Sequence, residues 1–283
     1  MLRQDRGKPH AFARSAAGFQ SHDANCHNWI IAAKISTVMT RKATLSLAAN
    51  PDLLMDLVAA NRILAMEGVL DGYGHVSVRG DKHPDRFYMS RSVAPQLVKV
   101  NDIMEHDPDS EPVGDERRPY LERFLHGEIY RQRPDVMAIV HSHSPDVIPF
   151  SVTKSPMKPI YHMASFLFSG VPVYEIRKTR RDNDLLIRDI ELGRDLAKSL
   201  GKCSCVLMRG HGMTVVGDSL PEVVFRAVYS QMNARMQTAA GQLQGPIEFL
   251  SEEEGKRATA TNRGTVERPW ELWKARAMNN NKA

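Results

Sequence analysis

Residues 136–143 read VMAIVHSH, a short apolar run that ends in two histidines one position apart. The run reads as a short buried strand. In a strand alternate side chains face the same way, so His141 and His143 point to one side of a sheet. Two imidazole nitrogens placed like this can serve one zinc or similar ion at about 2.0–2.1 Å. The fold must therefore bring further donors to the end of a covered strand.

The neighbouring segments supply helices and strands of mixed length. PDLLMDLVAANRILAMEGV has apolar residues at helical spacing, with Pro51 near its start and Gly68 near its end. HVSVR alternates like a strand, and RFYMS reads as its partner. PYLERFLHGEIYRQR predicts a helix from Pro119, with Leu121, Phe124, Leu125 and Ile129 on one stripe. Ser144-Pro145 looks like an N-cap and a first-turn proline. VPVYEI is a strand, LLIRDIELGRDLAKSLG a helix stopped by Gly201, and SCVLMRGHGMTVVGDS two strands around a glycine turn. SLPEVVFRAVYSQMNARMQTAAGQL is a long amphipathic helix. This alternation predicts one α/β domain on a mixed or antiparallel sheet over residues 46–245, with a polar C-terminal tail over 246–283.

Charge separates the first 45 residues from the rest. They carry seven Lys/Arg against Asp5 and Asp23, which accounts for the whole formal charge of +5, and the body is neutral. The expectation is a disordered leader or an overextended start with Met39 as the first residue, and no nucleic-acid surface on the body. No apolar run reaches the ~20 residues of a membrane span, and no secretory signal opens the chain. Three cysteines (Cys26, Cys203, Cys205) suit a reducing cytoplasm, and Cys203 and Cys205 read as packing positions.

Two further donors suggest themselves. His211 lies in RGHGM, where flanking glycines let the backbone turn sharply and leave room for a substrate. Glu122 is placed early in the helix before the histidine strand, beside its apolar stripe. Each pattern alone has an ordinary explanation: a solvated histidine, a turn, or a carboxylate at a helix start. Their order along the chain makes a composite pattern.

The segments GHVSVR, ERFLHGEIYRQRPDVMAIVHSHS and VLMRGHGMTVVGDSLPEVVFRA resemble the class II aldolase/adducin family over about residues 46–245. The resemblance implies a three-layer α/β/α sandwich and a homotetramer with active sites at subunit interfaces. It implies that His141, His143 and His211 bind a divalent metal, manganese or zinc first and iron or cobalt otherwise. It implies that Glu122 serves as ligand or acid/base. Sugar-phosphate members carry Gly-Asn-x-Ser where this chain has Gly74-His75-Val76-Ser77, a small Thr/Gly loop where it has MSRSVAP, and Ser-Ser where it has Tyr120-Leu121. His162 falls where the aldolases donate a tyrosine acid across the interface.

A phosphate cradle of small hydroxyls is replaced by bulkier groups, while an arginine fork and a histidine suit a carboxylate. The chain therefore resembles the branch of metal-dependent decarboxylases of hydroxylated aromatic or pyridine carboxylates. The expected substrate contacts are His75, Ser90, Arg91, Ser92 and Tyr120, with Tyr161, Phe166 and Phe168 completing an aromatic lining. Glu122 and His162 are the expected acid/base groups. The alternatives are aldol cleavage of a hydroxy acid or sugar phosphate, a non-haem iron oxygenase, and a non-catalytic adducin-like binding protein.

Overall fold

Alternation along the strands sorts the core into two halves. The computed structural model describes residues 49–279, so the leader over 1–45 lies outside the described residues. The strands are β1 (His75–Arg79), β2 (Phe87–Ser90), β3 (Ile103–His106), β4 (Ala138–Ser142), β5 (Val173–Tyr174), β6 (Cys205–Met208) and β7 (Gly212–Gly217). They form one mixed sheet in the order β3-β2-β1-β4-β7-β6-β5, antiparallel except between β5 and β6. The helices are α1 (Pro51–Met66), α2 (Arg123–Gln132), α3 (Ile148–Val152), α4 (Ile190–Leu200), α5 (Leu220–Gly241), α6 (Glu252–Arg263) and α7 (Glu267–Asn279).

On one face Val76, Val78, Val140, Leu207 and Val215 pack with apolar residues of α1, α5 and α7. On the other, Phe87, Met89, Ile139, Val206 and Val216 pack with Leu125 and Ile129 of α2 and Leu192 and Leu196 of α4. The result is the predicted α/β/α sandwich. Both faces of β1 are buried. Its polar residues turn toward α2: the Arg79 guanidinium donates to the carbonyls of Val136, Pro84, Tyr130 and Arg133 at 2.7–2.9 Å. Buried strand polarity is thus satisfied by backbone carbonyls of α2, its C-cap and the neighbouring loops.

Several boundaries differ from the sequence reading. α2 starts at Arg123, with Glu122 as its N-cap residue, so Glu122 precedes the helix and Leu121 is exposed. α4 starts at Ile190 because the Asp189 side chain caps Leu192 N–H at 3.0 Å, and residues 185–189 are loop. Residues 144–147 form a turn ahead of α3, and the Ser144 hydroxyl donates to Gln231 instead of capping. β3 and a 3-10 stretch over His162–Ser169 are additional elements.

The segment from 246 onward is more than a solvated tail. Ser251 and Glu254 form a capping box that starts α6. α6 lies against the His162–Ser169 stretch so closely that a Cβ at Gly255 would come within 2.3 Å of Phe168. α7 buries Trp270, Trp273 and Ala277. The apolar stretch HMASFLFS is therefore largely covered from within the chain, with Ala164, Ser165, Phe166 and Leu167 buried. None of the described helices is long and apolar enough to cross a membrane.

Candidate metal centre

β4 carries His141 on the same face as Ile139, toward α2 and α4. The chain then continues past Ser142, and His143 follows on the same side. His211 arrives from the β6–β7 turn. That turn needs its glycines: Gly210 has φ +64°, and a Cβ at Gly212 would sit 2.0 Å from the Ser142 carbonyl oxygen. The close approach of β7 to β4 is what sets His211 beside His141 and His143.

Donor atoms of Glu122, His141, His143 and His211 all lie within 4.8 Å of one another. The His143 Nε2 is 3.3 Å from His141 Nε2 and 3.0 Å from His211 Nε2. Glu122 Oε2 is 3.5 Å from His141 Nε2 and 3.4 Å from His211 Nε2. Ligands about 2.1 Å from one ion stand about 3.0–3.4 Å apart in tetrahedral or octahedral geometry.

The atoms behind these donors fix which nitrogen of each ring is bare. His211 Nδ1 faces the Leu185 carbonyl at 2.9 Å, and a carbonyl only accepts, so Nδ1 carries the proton. His143 Nδ1 faces the Asp71 carboxylate at 3.1 Å. His141 Nδ1 faces Thr214 Oγ1 at 3.4 Å, whose hydroxyl is directed at Met208 Sδ. Ile187 N–H donates to Glu122 Oε1 at 2.9 Å, leaving Oε2 turned inward. Three ring lone pairs and a carboxylate oxygen converge, an arrangement that repels itself until a cation lies among them. Outer hydrogen bonds of this kind orient metal-binding histidines. The donor set fits a divalent ion.

The same groups also shift one another's proton affinity. Burial alone would raise the Glu122 carboxyl, but the imidazoles of His141 and His211 hold it well below the usual carboxylate range. Burial pushes His141 down against the pull of Glu122. For His211 burial acts downward too, yet Glu122 and the Leu185 carbonyl outweigh it and raise this imidazole. The opposite directions follow from position: His141 is sealed, and His211 keeps slight access to solvent.

The other predicted residues divide. His75 pairs with His141 across β1 and β4, with ring centroids 5.0 Å apart, and Tyr120 lies 4.7 Å from His75. The Tyr120 hydroxyl donates to the Val93 carbonyl, so this residue turns its ring and not its hydroxyl to His75. Ser90 is buried at the end of β2, on the Tyr120 side. Arg91 gives its Nε to Asp102 at 2.7 Å, and Ser92 is exposed. His162 is exposed and does not join the cluster within one chain. Tyr161, Phe166 and Phe168 do not line it either: they pack against Tyr229, Phe225 and Gly255. Cys205 is buried and Cys203 bonds the Ser169 carbonyl, so neither contributes a donor.

Asp71, Thr214, His126 and the loop over 185–187 were missed from sequence. His126 lies on α2 one turn before Tyr130, and its partners His75 and Ser77 are about 50 residues away in sequence. Asp71 and the loop had no readable signal. Leu185 adopts φ +69°, which is rare without glycine, as it turns its carbonyl to His211.

The family model described as Class II Aldolase and Adducin N-terminal domain matches residues 55–238. The Decarboxylase tropJ of Talaromyces stipitatus is 40% identical over 240 residues, covering 76% of this chain and 90% of that protein. A 3,4-dihydroxyphthalate decarboxylase of Arthrobacter keyseri is 30% identical over 188 residues, covering 61% and 72%. Among solved structures, the L-fuculose 1-phosphate aldolase from Glaciozyma antarctica superposes with a TM-score of 0.68 at 20% identity, over 81% of this chain and 90% of that one.

Proposed function

The chain belongs to the class II aldolase and adducin family and has relatives named decarboxylases, and from that premise we propose that it decarboxylates a hydroxylated aromatic or pyridine carboxylate with the help of one divalent ion. The observation that carries this reading is the inward convergence of Glu122, His141, His143 and His211 with every Nδ1 already engaged. Relatives named as decarboxylases support the reaction type. Manganese or zinc is the first choice, with iron or cobalt behind them.

When bound, a divalent ion supplies a Lewis acid for the negative charge that develops on a chelating oxygen as CO2 departs. The chain's own residues do the positioning. Asp71, Thr214 and the Leu185 carbonyl hold the rings in one orientation. His75 and Arg91 orient the carboxylate, Arg91 with the terminal nitrogens that Asp102 leaves free. Tyr120 offers a ring face to a flat substrate. His162 delivers the proton to carbon from a neighbouring copy, which its exposure on its own chain allows. Family members are often oligomeric, and a homotetramer with sites at subunit interfaces is part of the proposal. So is a cytoplasmic location, which the low cysteine number suits.

The test is a panel of hydroxylated aromatic and pyridine carboxylates against ketose and pentulose phosphates on metal-loaded protein, with CO2, aldehyde and dioxygen followed together. CO2 from a ring acid without dioxygen uptake is the expected result. Aldehyde from a sugar phosphate with no CO2 would make the chain an aldolase, and dioxygen uptake would make it an oxygenase. His143→Ala should lose its metal in elemental analysis while keeping the fold, and full metal content there would defeat the proposed site.

A further inference from the structure

Behind His75 runs a row of buried polar groups that the metal site does not use. Tyr130 Oη is 2.8 Å from Ser77 Oγ, Ser77 Oγ is 2.7 Å from His126 Nδ1, and His126 Nε2 is 2.7 Å from His75 Nδ1. All four residues are buried. They meet because β1 turns His75 and Ser77 to one face and α2 sets His126 and Tyr130 opposite, one turn apart.

The protons in this row can be counted. The 2.7 Å contact between His75 Nδ1 and His126 Nε2 needs one bare and one protonated nitrogen, and neither buried ring bonds a carboxylate that would hold a second proton, so each is counted as neutral with one N–H. Four groups then hold four protons for three hydrogen bonds, and one proton is left at an end. If the row runs from histidine to tyrosine, the spare proton is on the Tyr130 hydroxyl, which has no acceptor besides Ser77 among the described residues. If it runs the other way, Tyr130 donates to Ser77, Ser77 to His126 Nδ1, and His126 Nε2–H to His75 Nδ1. The spare proton is then on His75 Nε2, which no described residue engages and whose ring lies between those of His141 and Tyr120. The second arrangement puts the spare proton beside the rings of the site, where a bound oxygen can accept it, whereas the first leaves it on a hydroxyl behind the site that only Ser77 meets.

We propose that Tyr130, Ser77 and His126 are positioning residues that lock His75 as an Nε2–H donor, and so give the site a fixed hydrogen-bond donor for an anionic oxygen of the substrate. This rests on the reading that His75 faces the substrate carboxylate. It adds why that histidine donates and does not accept. A carboxylate or phenolate oxygen is favoured by such a donor, while a substrate hydroxyl would have to act as acceptor only.

The experiment uses the full chain labelled with 15N-histidine, with the His75 signal assigned by its loss in His75→Gln. The expected native spectrum has His75 Nε2 protonated and Nδ1 bare. A protonated Nδ1 would overturn the proposal without any variant or activity. Ser77→Ala and His126→Leu should then mix the two tautomers and weaken phthalate binding about tenfold in calorimetry, with metal content unchanged. His126→Gln, whose amide can still accept from Ser77 and donate to His75, should restore most of the loss. An unchanged tautomer and affinity in both Ser77→Ala and His126→Leu would refute the relay. Absence of phthalate binding to a protein whose His75 is Nε2-protonated would count against the substrate reading and leave the relay supported.

Discussion

His106 stands at the end of β3 with its ring stacked on Phe87, centroids 4.8 Å apart and 10° between planes. It is fully buried, and neither ring nitrogen has a hydrogen-bond partner among the described residues. Burial, then the Arg123 guanidinium, pushes its pKa down to about 3. The group is a base with a depressed native pKa, so between about pH 6.5 and 3 the unfolded chain binds a proton that the native chain refuses. Stability therefore falls as pH falls through that window, by roughly 1.4 kcal/mol per pH unit from this residue. His106→Leu should remove that slope and also relieve two orphaned polar atoms. Urea unfolding of both proteins across the window checks it, and a stability difference that stays constant with pH would contradict a neutral buried His106. The same scale holds the candidate metal site's least readable feature. H-x-H in a strand and a glycine-flanked histidine announce candidate ligands, whereas Asp71 and the Leu185 carbonyl are recognisable only once folding has put them behind the rings.

Among the elements, strands and long helices were the legible part, because period-2 and period-3.6 patterns are local. Helix starts were less legible. Pro119 suggested the start of α2, but Tyr120 is tied to the Val93 carbonyl and Glu122 to Ile187 N–H, which hold the chain out of helical register until Arg123. The two C-terminal helices were the largest omission. α6 is polar over most of its surface and α7 buries few residues, so neither shows a strong stripe. Its packing is nonetheless substantial: Trp273 joins the core beside Tyr229, ring centroids 6.3 Å apart. Trp273→Ala should cost about 3–5 kcal/mol, the range for a buried aromatic truncated to alanine. Chemical denaturation measures this, and a loss below about 1 kcal/mol would show that α7 is dispensable to the core.

At the scale of the whole molecule the open matter is how many chains make one site. The apolar HMASFLFS stretch gives no reason to expect a partner once α6 covers much of it, so the oligomer rests on family membership and on the exposed position of His162. Light scattering at micromolar concentration should give about four times the 31.8 kDa chain mass. A monomer there would leave His162 outside every site and remove it from the proposed chemistry. Sequence by itself determined an α/β domain, the sheet's principal strands and the candidate set of three histidines with Glu122, because these depend on side-chain periodicity and on residue types that serve few other purposes together, and the sandwich came with the family resemblance. Tertiary structure alone decided which nitrogen of each ring faces inward, that Tyr120 gives its hydroxyl to the Val93 carbonyl, and that Ser77, His126 and Tyr130 stand in line behind His75. Those outcomes depend on hydrogen bonds between groups 26 to 73 residues apart, which no local pattern encodes.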